Sequence, residues 1–75
     1  MSFQVYLDNI QAKTGKNPDD FRAMAAAKGF TAEGQLAPGI KAGMIVDWLK
    51  QDFSLGHGHA MAIVALLKGA KQAGD

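Results

Sequence analysis

Apolar residues recur at helical spacing in four stretches of this chain, separated by glycine, proline and polar clusters. Phe3, Tyr6, Leu7 and Ile10 lie three and four apart, with Gln4, Asp8, Gln11 and Lys13 between them. That period predicts a first amphipathic helix over about Phe3–Lys13. Ser2 is its expected N-cap and Gly15 its expected stop. The second helix starts at Asn17 as cap, with Pro18 in the first helical position and Asp19 and Asp20 in the first turn. Proline loses nothing there, because its missing N–H had no intrahelical partner, and the two carboxylates face the positive end of the helix dipole. Phe21, Met24 and Ala25 form its buried stripe; Lys28 and Gly29 end it, and Phe30 is placed to fold back on the last turn.

A third helix is expected over about Lys41–Phe53. Ile45, Trp48, Leu49 and Phe53 share one face with Met44 at its edge, and Lys41, Asp47, Lys50 and Gln51 share the other. Gly43 costs about 1 kcal/mol against Ala in its first turns, which a close helix contact or a frayed start would explain. The fourth helix runs from near Gly58 to near Lys68, with Gly69 as its stop. Its pattern differs. Ala60, Ile63, Val64 and Leu67 make one stripe, but Met61, Ala62, Ala65 and Leu66 leave no polar side. A helix apolar all round is buried or meets a partner, so this one is the central helix or a dimer surface.

Residues 30–39 break any period. Pro38-Gly39 suits the centre of a type II turn, and Leu36 and Ile40 are placed to pin the loop to the core. No strand-like alternation of useful length and no internal repeat is present. The expected class is all-α: a compact single domain of four short helices over residues 1–69, orthogonal or bundle-like, with a frayed C-terminal tail over residues 70–75.

Length sharpens this picture. Seventy-five residues make one domain. A chain this short buries only roughly 60% of the surface that its unfolded form exposes. With no cysteine, disulfides and thiolate chemistry are excluded, so well-packed helices or a partner subunit must supply the stability. The net charge is +1, and seven of the eight basic residues are Lys, Arg22 being the exception. That balance and the scarcity of Arg argue against sequence-specific nucleic-acid binding. The longest apolar run, Ala60–Leu67, is too short to span a membrane. The start of the chain lacks the basic and apolar regions of a signal peptide, so the expected compartment is the cytoplasm.

Both histidines and the only Trp fall within residues 48–62, which makes the junction of the third and fourth helices the first place to look for a site. Two residues apart on a helix, His57 and His59 diverge by about 200°. Only a non-helical turn would aim both at one ion, and a zinc site wants three or four ligands, for which Asp47, Asp52 or Glu33 would have to be recruited. One packing or capping histidine and one solvated histidine is the simpler expectation, and no metal or cofactor is expected. The turn Gly56-His57-Gly58 precedes a helix N-terminus, where backbone N–H groups attract a phosphate or carboxylate, with Lys41 or Lys50 to complete the site. The plainer alternative is that Gly56 ends the third helix and Gly58 lets two helices cross closely.

Ser54 near His57 suggests a nucleophile and base, but a triad also needs an orienting acid and a rigid oxyanion hole, for which a domain this small has little room. A helix-turn-helix would place Gly58–Lys68 in a DNA groove, with only His59 and Lys68 as polar groups to read base edges. Trp48 reads as a core anchor. The candidate binding residues are Trp48, Lys50, Gly56, His57, Gly58 and His59.

The segments Lys13-Thr-Gly-Lys and Asp20-Phe21, and above all Trp48-Leu49-Lys50 with Phe53 and Leu55-Gly56-His57-Gly58-His59-Ala60, resemble the bacterial family called domain of unknown function 4287. The resemblance covers most of residues 1–69. It implies a short helical domain in a bacterial, intracellular setting, and it carries no catalytic residues over. The expected function is non-enzymatic: interaction with an unknown protein partner or formation of a homo-oligomer. The alternative is binding of a small anion or nucleic-acid phosphate at the Gly56–His59 helix N-terminus.

Overall fold

The polar cluster Asn17–Asp20 makes the most fully bonded helix start among the described residues. In the computed structural model, which describes residues 3–69, the Asn17 side-chain oxygen accepts from the Asp20 N–H at 2.8 Å, and the Asp20 carboxylate accepts from the Asn17 N–H at 3.0 Å. This reciprocal capping box satisfies two donors at once, and Pro18 follows it at the first helical position. The helix covers Pro18–Ala27 and closes with a Schellman motif. Gly29 takes φ +81°, its N–H bonds to the Ala26 carbonyl at 3.0 Å, and the Phe30 N–H bonds to the Ala25 carbonyl at 2.9 Å. Phe30 is thereby turned back onto the core, as its sequence position suggested.

The remaining elements follow in order. Helix α1 is Phe3–Thr14, α2 is Pro18–Ala27, a two-stranded antiparallel ribbon pairs β1 (Thr31–Ala32) with β2 (Gln35–Leu36), α3 is Ala42–Phe53 and α4 is His57–Lys68. Among the described residues this is a mostly helical single layer of packed helices around one core, in agreement with the expected class. The N-cap expected at Ser2 and the tail expected over residues 70–75 lie outside the described residues.

The ribbon corrects the expectation of an irregular loop without strands. Thr31 pairs with Leu36 and Ala32 with Gln35, and the Ala37 N–H bonds to the Phe30 carbonyl at 2.9 Å. The connecting residues Glu33 and Gly34 have φ +54° and +79°. Positive φ at both centres is the mark of a type I′ turn, whose twist matches that of the two strands. Glycine adopts it freely; glutamate does so at a cost of about 1–2 kcal/mol. The turn expected at Pro38-Gly39 is present, with Gly39 at φ +85° and the Ile40 N–H bonded to the Ala37 carbonyl at 3.1 Å.

Helix α4 is the centre of the molecule. It touches α1, α2, α3 and β2, and Ala60, Ala62, Ile63, Val64, Leu66 and Leu67 are buried along it. The other helices each turn a stripe toward it: Leu7 and Ile10 from α1, Phe21 and Ala25 from α2, and Ile45, Val46, Trp48 and Leu49 from α3. Of the two roles open to an all-apolar helix, the central one is realised. On α3 the expected face is buried at Ile45, Trp48 and Leu49, with Phe53 packed against it, but its edge differs. Val46 is buried and Met44 is 45% exposed, so Met44 does not join the core. Gly43 and Gly58 lie against open space, with nothing within 4 Å of an added Cβ, so neither marks a close helix crossing.

Four aromatic rings tie α2 and its Schellman turn to α3. Phe21 meets Phe53 edge-on at 5.4 Å, Phe53 meets Trp48 at 6.0 Å, and Trp48 meets Phe30 at 5.6 Å. The Lys28 ammonium lies 5.6 Å from the centre of the Trp48 ring. Edge-to-face pairs each contribute about 0.5–1.5 kcal/mol beyond their buried area.

Trp48→Ala opens a hole in this chain of rings and should cost about 3–5 kcal/mol, enough to abolish a cooperative thermal transition in a domain of this size. A variant melting within a few degrees of the wild type contradicts the placement. Glu33→Gly relieves the turn and should raise stability by about 1 kcal/mol, read as a higher urea midpoint at an unchanged slope.

Candidate functional site

The junction of α3 and α4 is built by three residues. Ser54 ends α3 in the left-handed conformation at φ +55°, with its N–H bonded to the Lys50 carbonyl at 3.1 Å. The Leu55 N–H reaches the Leu49 carbonyl at 3.4 Å, and the Leu55 side chain is buried beneath the turn. Gly56 is then the extended N-cap of α4, and the Ala60 N–H bonds to its carbonyl at 2.9 Å. The sequence pointed to Gly56 as the stop of α3; the stop is Ser54, and Gly56 opens the next helix, which starts at His57. No hydrogen bond joins Ser54 to His57 among the described residues, so Ser54 is a helix terminator and forms no nucleophile–base pair there.

The two imidazoles have different surroundings. His59 is half-buried and meets the Tyr6 ring edge-on, with centroids 5.7 Å apart and planes at 77°. It joins the first turn of α4 to the first turns of α1. His57 is exposed. Both are helical, so their side chains diverge by about 200°. Among the described residues no group of three or more His, Cys, Asp or Glu side chains is placed to hold a metal ion.

The other candidates separate in the same way. Trp48 is 7% exposed and belongs to the aromatic chain in the core. Lys50 is exposed in the last turn of α3. Lys41 stands at the opposite end of α3, about 18 Å away along a helix of twelve residues, and cannot complete a site at Gly56. Gly56 contributes no side-chain acceptor to the first turn of α4, so the N–H groups of that turn ahead of Ala60 have no helical partner.

From this junction a narrow strip of α4 runs along the surface. His57, Met61, Ala65 and Lys68 are spaced at i, i+4, i+8 and i+11, with Gly58 beside them. His57, Gly58, Met61 and Lys68 are exposed and Ala65 is partly so; Met61 is 40% exposed. Between His57 and Lys68 the strip carries no charge.

A concavity lies elsewhere, toward the other end of α4. A cleft of ≈ 190 Å³ is lined by Arg22 and Ala26 of α2, Thr31, Glu33 and Gly34 of the ribbon, and Leu67 of α4. Leu67 is ten residues from His57, about 15 Å along the helix. In the sequence Arg22 stood out only as the single Arg and Glu33 only as a metal ligand to be recruited beside the histidines; neither pointed to the other. They are eleven positions apart in segments of different type, and only the tertiary fold brings them to one cleft.

Helix content, the short ribbon and the central apolar helix define a small, mostly helical domain. The chain belongs to the family described as Domain of unknown function (DUF4287), which matches residues 2–69, the stretch carrying every element above. Nothing among curated proteins or solved structures matches the chain. No helix of the described residues is long and apolar enough to cross a membrane.

The contrast between the imidazoles is measurable. His59→Ala should cost about 0.5–1.5 kcal/mol through loss of the Tyr6 contact, whereas His57→Ala should stay within about 0.5 kcal/mol of the wild type. Urea unfolding of the two variants side by side gives the comparison, and equal losses would contradict it.

Proposed function

We propose that this domain is a non-enzymatic interaction module that self-associates through the solvent strip of α4. The observation that carries the reading is the chemistry of that strip. A helix side facing water ordinarily carries charged residues, yet Gly58, Met61 and Ala65 expose only small or apolar surface over two turns. The strip is also self-complementary. A two-fold axis near residue 63 sets Met61 of one copy against Ala65 of the other, a protruding side chain over a small one. The bare backbone at Gly58, with nothing within 4 Å, leaves room for close approach. Met61 supplies a flexible, polarisable contact suited to a shared surface.

The size of the strip sets the strength. A standard stable interface covers about 800 Å² on each partner, close to a fifth of this molecule's 4325 Å². One strip of a twelve-residue helix offers less, so association is weak, in the micromolar to millimolar range. Sedimentation velocity across that range should show a concentration-dependent shift toward dimer for the wild type. Met61→Glu places two carboxylates in the contact and should hold the protein monomeric with its helical spectrum unchanged. A wild type that stays monomeric at millimolar concentration refutes the reading.

The uncapped first turn of α4 favours a second reading, binding of a phosphate group at Gly56–His59. Inorganic phosphate that moves the amide signals of residues 56–60 and leaves sedimentation unchanged would support it. The absence of any clustered shift there would end it.

A further inference from the structure

We infer that the cleft between α2 and the ribbon is a binding site for a free aliphatic α-amino acid, with Arg22 receiving its carboxylate and Glu33 its ammonium group. The site is separate from the α4 strip and independent of self-association. Its two charged residues are of opposite sign and stand on different walls, Arg22 on α2 and Glu33 at the ribbon tip. They line one space of ≈ 190 Å³, yet they form no ion pair with each other.

Among the described residues the two charges are largely unpaired. There the Arg22 guanidinium makes one bond, a nitrogen at 3.3 Å from Asp19, whose side chain is 90% exposed. Such a surface pair contributes little, and it leaves most of the planar donor fork open to a carboxylate. The Glu33 carboxylate has no hydrogen bond and no ion pair among the described residues. Glu33 also holds a left-handed backbone conformation at φ +54° in a turn where glycine or asparagine would sit without strain. Strained residues of this kind gather where a side chain is required for something besides the fold.

The rest of the lining sets the ligand class. Leu67 and Ala26 are the apolar residues of the lining, and Thr31 is a hydroxyl-bearing one. The volume lies below the roughly 300 Å³ at which pockets for drug-sized molecules begin. Nucleotides and sugars with several rings are therefore too large. A small body carrying a carboxylate and an ammonium on one carbon, with a short aliphatic side chain for Leu67, matches the charges, the size and the apolar lining together.

The test is a titration of the full chain with L-leucine, followed by amide chemical shifts. Millimolar leucine should move the signals of Arg22, Ala26, Thr31, Glu33, Gly34 and Leu67. Isoamylamine, which lacks the carboxylate, and isocaproate, which lacks the ammonium, should each bind at least tenfold more weakly. E33Q and R22Q should each weaken leucine at least tenfold while the Trp48 fluorescence and the helical spectrum stay those of the wild type. E33Q keeps the side-chain length and the same backbone demand, so its loss of binding reports the charge and not the turn. Unmoved cleft signals at the solubility limit of leucine, equal binding of either analogue, or unchanged affinity in either variant would overturn the assignment.

Discussion

Burial of α4 is the constraint on which the rest of this structure depends. Its stretch from Ala60 to Leu67 contains no charged or hydrogen-bonding side chain, so no side of it can be left broadly to water without loss. Each apolar side chain buried there contributes about 1.5–3 kcal/mol, against a net stability for a whole domain of only about 5–15 kcal/mol. The other elements are placed so that each covers one part of this helix: α1 near its start through Tyr6 and His59, with α3, α2 and β2 against it elsewhere, leaving only the Met61 strip exposed. The lids are fastened in turn by local devices. The Asn17–Asp20 box and the Gly29 Schellman turn fix both ends of α2, and the turn aims Phe30 at Trp48. Lys28 then lies over the outer side of the same indole. Local capping thus sets the direction in which an aromatic side chain enters the core, which connects a few backbone hydrogen bonds to the packing of the whole domain.

Much of this architecture is legible in the chain because its signals are local. Asn17, Pro18, Asp19 and Asp20 specify a helix start through hydrogen bonds within four residues. The apolar spacing of α1 and α2 identifies Leu7, Ile10, Phe21 and Ala25 as core residues, as observed. The parts that were not legible depend on tertiary context. Two-residue strands contain no alternation to detect, and the glutamate at the first turn centre hides the type I′ signature that an Asn-Gly pair would have shown. The end of α3 at Phe53 was legible, but Ser54 closes it in a conformation normally signalled by glycine, so the sequence offered Gly56 as the stop residue. Met44 and Val46 sit at the two edges of the apolar stripe of α3, and the period alone does not say which edge is buried: Val46 is, and Met44 is 45% exposed.

The candidate site divides along the same line. His57 and His59 were expected to differ, one packing and one solvated, and the helical geometry of α4 separates them in that way. Trp48 was prominent in the sequence for a reason that turned out to be interior. The junction works first as a joint, with Leu55 buried beneath it and Ser54 and Gly56 shaping the chain on either side. The cleft that holds Arg22 and Glu33 had no sequence signal, since nothing in either segment refers to the other. A strained turn residue becomes informative only when it is found lining the same cleft as an arginine. The solvent strip of α4 lies between these cases: its uncharged composition was visible in the sequence, but which of its positions would be exposed was not.

Native-state hydrogen exchange tests the central role of α4 most directly. Elements that open only when the whole domain unfolds exchange last. If α4 is the helix that all others cover, the amides of Ile63, Val64, Leu66 and Leu67 should be the slowest in the chain, with exchange free energies equal to the global unfolding free energy from urea. Exchange of those amides by a cheaper local opening, faster than that of α1 or α2, would show that α4 is a lid on some other core and would contradict the account.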